Sequence, residues 1–426
     1  MKKITNSLLY TIAVIAAIYL LSSCSGRGYT SAASYTGLYD FELQTLHPSV
    51  VLYFRDADTL EAYFRINTEE LLYARQNPEE QFRSNINISA LLKDDKGSRI
   101  LDSTSIKIHD FSIDKSAKLL IGSIKLAAKD TLKGILELKI SDLLKGSSQQ
   151  VIKYFDKSNP NAQSNFLLID KKNNSPVFGY AITSPTEIEI HSRFSNQNTC
   201  WIRNFSEGLN LPPPPFSYTS PEDYKLENAN ESRELTLNNG KTSFFAMEGV
   251  YFISRNANSE SGISLEVRQA SFPEVNTVSE LVKTLRYISS RAEYESMTSA
   301  SNPKLLLDKF WLDCTGNKDK ARELIKIYYR RVREANYYFS CHLEGWKTDR
   351  GLVHIVFGNP NKIYRNFDQE VWLYGEENNL TSVSFTFRKT PSPFAENYYR
   401  LSRDPIYKTS WSRAVDSWRN GRIFNE

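Results

Sequence analysis

Residues 345–360 read GWKTDRGLVHIVFGNP, and this segment carries the clearest structural information in the chain. Gly345 and Gly351 permit backbone conformations that other residues avoid, which indicates a tight corner. Thr348 and Asp349 have short polar side chains that can hold such a turn through hydrogen bonds to nearby backbone amides. The segment therefore begins with a corner whose polar groups are satisfied locally.

The apolar run after this corner predicts a β-strand, because Val353, Ile355 and Phe357 would share one face. Gly358 and Pro360 then end the strand in a turn. We therefore expect the corner to lead directly into one strand of a sheet.

A helix and two further strands are predicted around this segment. Apolar residues recur at helical spacing between Leu324 and Phe339. Alternating runs at 371–374 and 383–387 predict strands. We expect a small antiparallel sheet packed on that helix, with the ring of Trp346 covering the adjacent core.

The chain upstream is rich in alternating apolar and polar residues, as at Ile86, Ile88, Ala90 and Leu92. Short runs of this kind, separated by turn residues, predict two immunoglobulin-like β-sandwiches over 35–156 and 164–273. A capping box, Thr277–Glu280, then opens a helical segment. The predicted fold class is mainly β with a C-terminal α+β part, in which residues 276–426 form a helical domain with the small sheet.

Four consecutive prolines, Pro212–Pro215, interrupt the second β-rich block. Such a run forms a stiff polyproline II segment and cannot lie in a central strand. Two interpretations stay open: a docking segment or groove rim, and a stiff surface loop.

The N-terminus has the features of a secretion signal: a basic start, an apolar run over 8–21, and small residues before Cys24. Residues 21–24 read LSSC, which resembles the bacterial lipobox. The resemblance implies that residues 1–23 are removed and that Cys24 carries the lipid that anchors the protein in a membrane. We expect residues 24–34 to form a flexible tether. Lipoproteins that reach the cell surface often carry acidic residues just after the lipidated cysteine. None follows Cys24 closely, so the resemblance implies the periplasmic side of the outer membrane rather than the cell surface.

Composition excludes several classes of function. The formal net charge is +4, and two lysines leave with the signal, so nucleic-acid binding has no electrostatic support. The 5 histidines are scattered without ligand spacing, and neither a P-loop nor a dinucleotide-binding fingerprint is present. We expect no metal or cofactor, and we expect Cys200, Cys314 and Cys341 to be buried thiols.

The corner and its surroundings resemble the GWxTD domain, a family of uncharacterised bacterial proteins found mainly in Bacteroidetes envelopes. The matching residues are Gly345, Trp346, Thr348, Asp349, Arg350, Gly351, Gly358 and Pro360. The resemblance covers roughly residues 304–387 and implies no established reaction. Three interpretations of the motif are open: a structural corner, a binding site, and a catalytic site in which Asp349 works with His354.

We favour a structural corner, and name no catalytic residue. The expected function is that of a non-catalytic scaffold or adaptor with a protein partner in an envelope or secretion complex. Two alternatives stay open. The many aromatic residues, 24 Tyr, 23 Phe and 6 Trp, suit a protein that binds envelope glycan. A hydrolase whose acids come together only in three dimensions is the other.

Overall fold

The computed structural model describes residues 33–424, apart from 42–43, 130, 160–161, 180, 184, 195–197, 206–209, 261, 380 and 396. Within this part the chain forms two β-sandwiches and a C-terminal domain in which six α-helices pack with a five-stranded sheet. The predicted fold class, mainly β with a C-terminal α+β part, is confirmed. Cys24 and the expected signal peptide, residues 1–23, lie outside the described residues.

The first sandwich packs a three-stranded sheet on a four-stranded one, with every neighbouring pair antiparallel. Its strands are β2 (Ser49–Phe54), β3 (Thr59–Asn67), β4 (Phe82–Asp94), β5 (Ile100–Ser112), β6 (Leu119–Ala127), β7 (Lys133–Asp142) and β8 (Ser147–Asp156). The sheet orders are β2-β3-β6 and β5-β4-β7-β8. Ile86, Ile88, Ala90 and Leu92 all point from β4 into the core, so the alternation seen in the sequence is the buried face of this strand.

The second sandwich has sheet orders β10-β9-β12-β15 and β11-β17-β16-β13-β14. Its strands are β9 (Phe166–Asp170), β10 (Ser175–Pro176), β11 (Ala181–Ile182), β12 (Thr186–Ser192), β13 (Thr199–Phe205), β14 (Glu231–Thr236), β15 (Lys241–Ala246), β16 (Gly249–Ser254) and β17 (Ile263–Val267). The short β11 runs parallel to β17. The tetraproline segment lies between β13 and β14, outside both sheets.

The C-terminal domain contains α1 (Val278–Thr284), α2 (Arg291–Ser299), α3 (Pro303–Thr315), α4 (Lys318–Phe339), α5 (Asp349–Phe357) and α6 (Tyr407–Arg419). Thr277 and Glu280 form the predicted capping box at the start of α1. The predicted apolar stripe of α4 is its buried face, from Leu324 to Phe339. No helix in the described ranges is both long enough and apolar enough to cross a membrane.

The sheet of this domain has the order β1-β18-β19-β20-β21 and is antiparallel throughout. Its strands are β1 (Ala33–Tyr35), β18 (Lys362–Arg365), β19 (Gln369–Tyr374), β20 (Val383–Lys389) and β21 (Tyr399–Leu401). The strands predicted at 371–374 and 383–387 are therefore confirmed. Trp372, Phe385 and Phe387 belong to the core that this sheet shares with the helices.

The strand predicted for Val353, Ile355 and Phe357 is wrong, because these residues lie in helix α5. Every residue of α5 is buried. A segment that is buried all round has no polar face, and a short apolar run of this kind does not distinguish a strand from a helix. Thr348, which caps the helix, is the local signal that favours the helical alternative.

The three cysteines in the described ranges, Cys200, Cys314 and Cys341, are free and buried, as expected. Burial raises the pKa of the Cys314 and Cys341 thiols to about 11. Both thiols are therefore protonated at neutral pH.

The segment before the first sandwich belongs structurally to the C-terminal domain. Residues 33–35, where the sequence suggested the end of a flexible tether (24–34) and the start of the first sandwich, form β1 and pair with β18. Tyr39 is 6% exposed and packs edge-on against Phe339, with ring centroids 4.8 Å apart. Its hydroxyl donates to the Glu370 carboxylate at 2.9 and 3.0 Å. The C-terminal core is thus completed by residues more than 200 positions upstream.

Tyr39→Ala should destabilise the C-terminal domain by about 3–5 kcal/mol, as loss of a large buried ring usually does. Denaturant unfolding followed by tryptophan fluorescence reports this domain, since Trp201 alone among the 6 tryptophans lies elsewhere. The matched control is Tyr218→Ala, because Tyr218 is 88% exposed. Equal transitions for the two variants would contradict the assignment of residues 33–41 to the C-terminal core.

Candidate functional site

The GWKTDRG segment forms the connection between α4 and α5. Residues 345–347 make a single 3-10 turn, and Thr348 is the N-cap of α5. The Thr348 hydroxyl accepts from the Gly351 amide at 3.1 Å and donates to the Gly345 carbonyl at 2.7 Å. The predicted role of Thr348 in holding the turn is confirmed.

Both glycines of the motif are required by close approach between backbones. A Cβ at Gly345 would lie 1.8 Å from the Ala335 carbonyl oxygen of α4. A Cβ at Gly351 would lie 1.9 Å from the carbonyl oxygen of Gly345. The turn therefore rests directly on the backbone of α4, and α5 rests on the turn.

Trp346 is 3% exposed and is held at three polar atoms. Its backbone amide donates to Asn336 Oδ1 at 3.1 Å, and its carbonyl accepts from the Tyr287 hydroxyl at 2.6 Å. The indole N–H donates to the Glu344 carboxylate, which also pairs with Lys347 Nζ at 2.9 Å. Burial favours the neutral acid, but Lys347 and these hydrogen bonds hold the pKa of Glu344 below its ordinary value.

Asp349 does not cap the nearby turn, and that prediction is wrong. Its carboxylate accepts from the Leu401 amide and from Arg403 Nη1, at 2.8 and 2.9 Å, and Arg403 Nη2 donates to its other oxygen. The Asp349 side chain is 1% exposed. The same Arg403 nitrogen, Nη2, also donates to the Pro213 carbonyl at 3.0 Å, so the motif is joined to the tetraproline segment.

Arg350 belongs to a second buried charge network. Its guanidinium lies 3.3 Å from Glu370 Oε1 and donates to the Asn397 carbonyl at 3.0 Å. Arg365 Nε lies 3.2 Å from the same carboxylate oxygen. Burial alone would raise the pKa of Glu370, but the two guanidiniums outweigh it and keep the pKa below its ordinary value.

His354 and Asp349 do not form an acid–base pair. His354 is fully buried in α5, with Nε2 3.1 Å from Glu334 Oε2, whereas Asp349 is bound by Arg403 and Leu401. Burial lowers the pKa of His354, so the imidazole is neutral at neutral pH. The catalytic interpretation required these two residues to act on a common group, and they have separate partners.

Gly358 and Pro360 end the helix rather than a strand. Gly358 has a φ of +86° and its amide donates to the His354 carbonyl at 2.8 Å. A Cβ there would lie 2.5 Å from Arg331 Nη2, because Arg331 reaches across to the last carbonyls of α5. Burial lowers the pKa of Arg331 to about 10.

The chemical capacity of this site is limited by its burial. General acid–base catalysis needs a titratable group within hydrogen-bond reach of a substrate proton. Thr348, Asp349 and Arg350 are each less than 5% exposed and are bonded to protein groups. Within the described ranges, no group of three or more His, Cys, Asp or Glu side chains has the geometry to hold a metal ion.

The partners of the motif were missed from the sequence. Arg403 lies 54 positions from Asp349, and Glu370 lies 20 positions from Arg350. No fixed spacing signals such pairs. A charged residue within a segment of core-like apolar residues could have indicated a buried ion pair, as Glu370 does before Val371 and Trp372.

Gly351→Ala should lower the free energy of unfolding by at least about 3 kcal/mol, the upper range for overpacking, because the methyl group overlaps a backbone carbonyl. Gly316→Ala is the control, since a Cβ there meets no atom within 4 Å and Gly316 ends α3 in the same domain. Its cost is restricted to the positive φ, about 1–2 kcal/mol. Tryptophan-monitored unfolding that is unchanged in Gly351→Ala would refute the close packing described here.

Comparison with known proteins identifies the C-terminal part of the chain. A family model of the GWxTD domain matches residues 249–420. The match begins at the first residue of β16, so it includes the last two strands of the second sandwich as well as helices α1 to α6. No curated protein matches the sequence.

Among solved structures, one match is the crystal structure of red sea bream transglutaminase. It is 9% identical, covers 49% of this chain and 28% of that chain, and has a TM-score of 0.18. A likeness this distant supports no argument about function. The family match includes the motif at residues 345–360, and residues 249–420 of the chain belong to the GWxTD domain family.

Proposed function

We propose that this protein is a lipid-anchored, non-catalytic scaffold of the bacterial cell envelope. In this proposal the lipid on Cys24 holds it in the outer membrane, facing the periplasm, and its domains present surfaces to an envelope protein partner. One observation supports a role without catalysis. The GWxTD motif is buried, and its charged groups are all bonded within the chain.

The contacts between the second sandwich and the C-terminal domain support a rigid arrangement. Phe394 of the C-terminal domain is fully buried among Phe205, Val250 and Phe252 of the sandwich. The Ser264 hydroxyl donates to the Phe394 carbonyl at 2.6 Å. A small cluster of buried aromatic side chains of this kind resembles a domain core more than a transient contact.

The first sandwich is fastened to both of the other domains. Tyr154 of β8 packs edge-on against Phe367, with ring centroids 5.6 Å apart. On its other side, Val51 and Tyr53 of β2 form a buried apolar cluster with Leu167 of β9. Each domain thus contacts the other two, which suits a protein that holds partners at fixed positions.

Exposed apolar side chains near the connection between β5 and β6 offer contacts for a protein partner. Phe111, Ile113, Leu119 and Ile121 lie on the ends of β5 and β6 and the connection between them, and are 37–77% exposed. Grouped exposed apolar side chains commonly mark protein interaction sites.

Affinity purification of the full-length protein from detergent-solubilised membranes tests the proposal. Wild type should fractionate with membrane and recover the same envelope proteins in near-stoichiometric amounts. Cys24→Ser removes the lipid attachment and should fractionate as soluble protein, without those partners, since stable anchoring needs more than one acyl chain. Equal membrane recovery of Cys24→Ser after a high-salt wash argues against the anchor. Absence of any stoichiometric protein partner for the wild type argues against the scaffold.

A further inference from the structure

A cavity of about 330 Å³ lies where the three domains meet. The first sandwich contributes β2 and the edge strand β8, and the second contributes Gln163 and Phe178. The GWxTD domain contributes the end of α4, Arg350 of the motif and the strand residue Arg365. Clefts of this size between domains are common positions for small-molecule sites.

The charge of this cavity is strongly one-sided. Lys153, Arg350, Arg365 and Lys389 line it, and no Asp or Glu is among the described lining residues. Glu370 is not among the lining residues. Its carboxylate lies 3.3 Å from the Arg350 guanidinium and 3.2 Å from the Arg365 guanidinium. This single carboxylate offsets only part of the charge of the two guanidiniums, and with Lys153 the described lining retains a positive potential.

Lys153 is the cation whose charge is least compensated. It is half-buried on β8, and no carboxylate of the described residues lies within ion-pairing distance of its amine. Burial and the nearby Arg365 lower the pKa of Lys153 to about 8. A buried cation without a counter-charge is costly, and an anion bound beside it would remove that cost.

Aromatic rings and amide side chains surround the cations of this cavity. The Arg365 guanidinium lies over the Tyr154 ring at 5.0 Å, and the Arg350 guanidinium lies over the Tyr399 ring at 4.3 Å. Both guanidiniums are thereby held in fixed planes. The amides of Gln149 and Gln150 add donors and acceptors beside them.

We propose that this cavity binds a small anionic ligand, a carboxylate or a phosphate ester about the size of a monosaccharide, with Lys153 and Arg365 facing its charge. The proposal is independent of the scaffold role, because it concerns what the junction binds and not what the outer surfaces hold. Occupancy would tie together the three domains that line the cavity.

Isothermal titration calorimetry of the full-length protein in detergent micelles tests this inference, with glucuronate, glucose 6-phosphate, inorganic phosphate and uncharged glucose as probes. At least one anionic sugar should bind, and glucose should not. Inorganic phosphate that binds as well as glucose 6-phosphate would support recognition of the anionic group alone. Glucose that binds as tightly as glucuronate, or no heat with any anion, would overturn the proposal.

Variants at one position make the test specific. Lys153→Gln should weaken anion binding by about tenfold or more, the effect of losing one charged hydrogen bond. Lys153→Arg keeps the charge and should retain binding. Lys139→Gln is the matched control, because Lys139 is exposed on the neighbouring strand, opposite Gln150. Equal weakening by Lys153→Gln and Lys139→Gln would place the anion elsewhere and contradict the assignment.

Discussion

The buried ion pair between Asp349 and Arg403 is the interaction on which the organisation of the GWxTD domain depends. It fastens the first residue of α5 to the end of β21 and to Pro213 of the tetraproline segment. The attraction between two buried charges offsets the cost of removing them from water only when the geometry between them is good and their remaining hydrogen-bond positions are filled. The Leu401 amide and the Pro213 carbonyl fill such positions here.

Helix α5 explains why so many polar groups gather around the motif. It is nine residues long and buried throughout, so the unpaired amides and carbonyls at its ends have no access to water. The Thr348 hydroxyl accepts from the Gly351 amide at the positive end, and the charge of Asp349 in the first turn favours that end of the helix dipole. Arg331 and the Trp418 indole N–H satisfy the carbonyls of Ile355 and Val356 at the negative end. The GWxTD motif is thus the start of a helix that the core surrounds on all sides.

The sequence predicted the parts of the fold that are coded by local periodicity. The alternation at Ile86–Leu92, the capping box at Thr277 and the stripe of α4 all depend on neighbours within a few residues. The strand predicted at 353–357 was wrong because a segment buried on every side has no periodic signal. The partners of Asp349 and Arg350, the joining of residues 33–39 to the C-terminal core, and the cationic cavity depend on contacts between distant positions. Neither the composition nor the residue spacing of the sequence indicates these long-range contacts.

A double-mutant cycle on Asp349 and Arg403 tests the central claim most directly, using Asp349→Leu, Arg403→Met and the two combined. Each single variant leaves one charge buried without its partner and should cost about 3–5 kcal/mol in free energy of unfolding. The double variant removes both charges, so its loss should be smaller than the sum of the two, by at least about 1 kcal/mol. If the motif serves the fold, the double variant should also complement a deletion strain better than either single variant. Additive losses in stability, or a double variant that is stable but fails to complement, would contradict a structural role for Asp349.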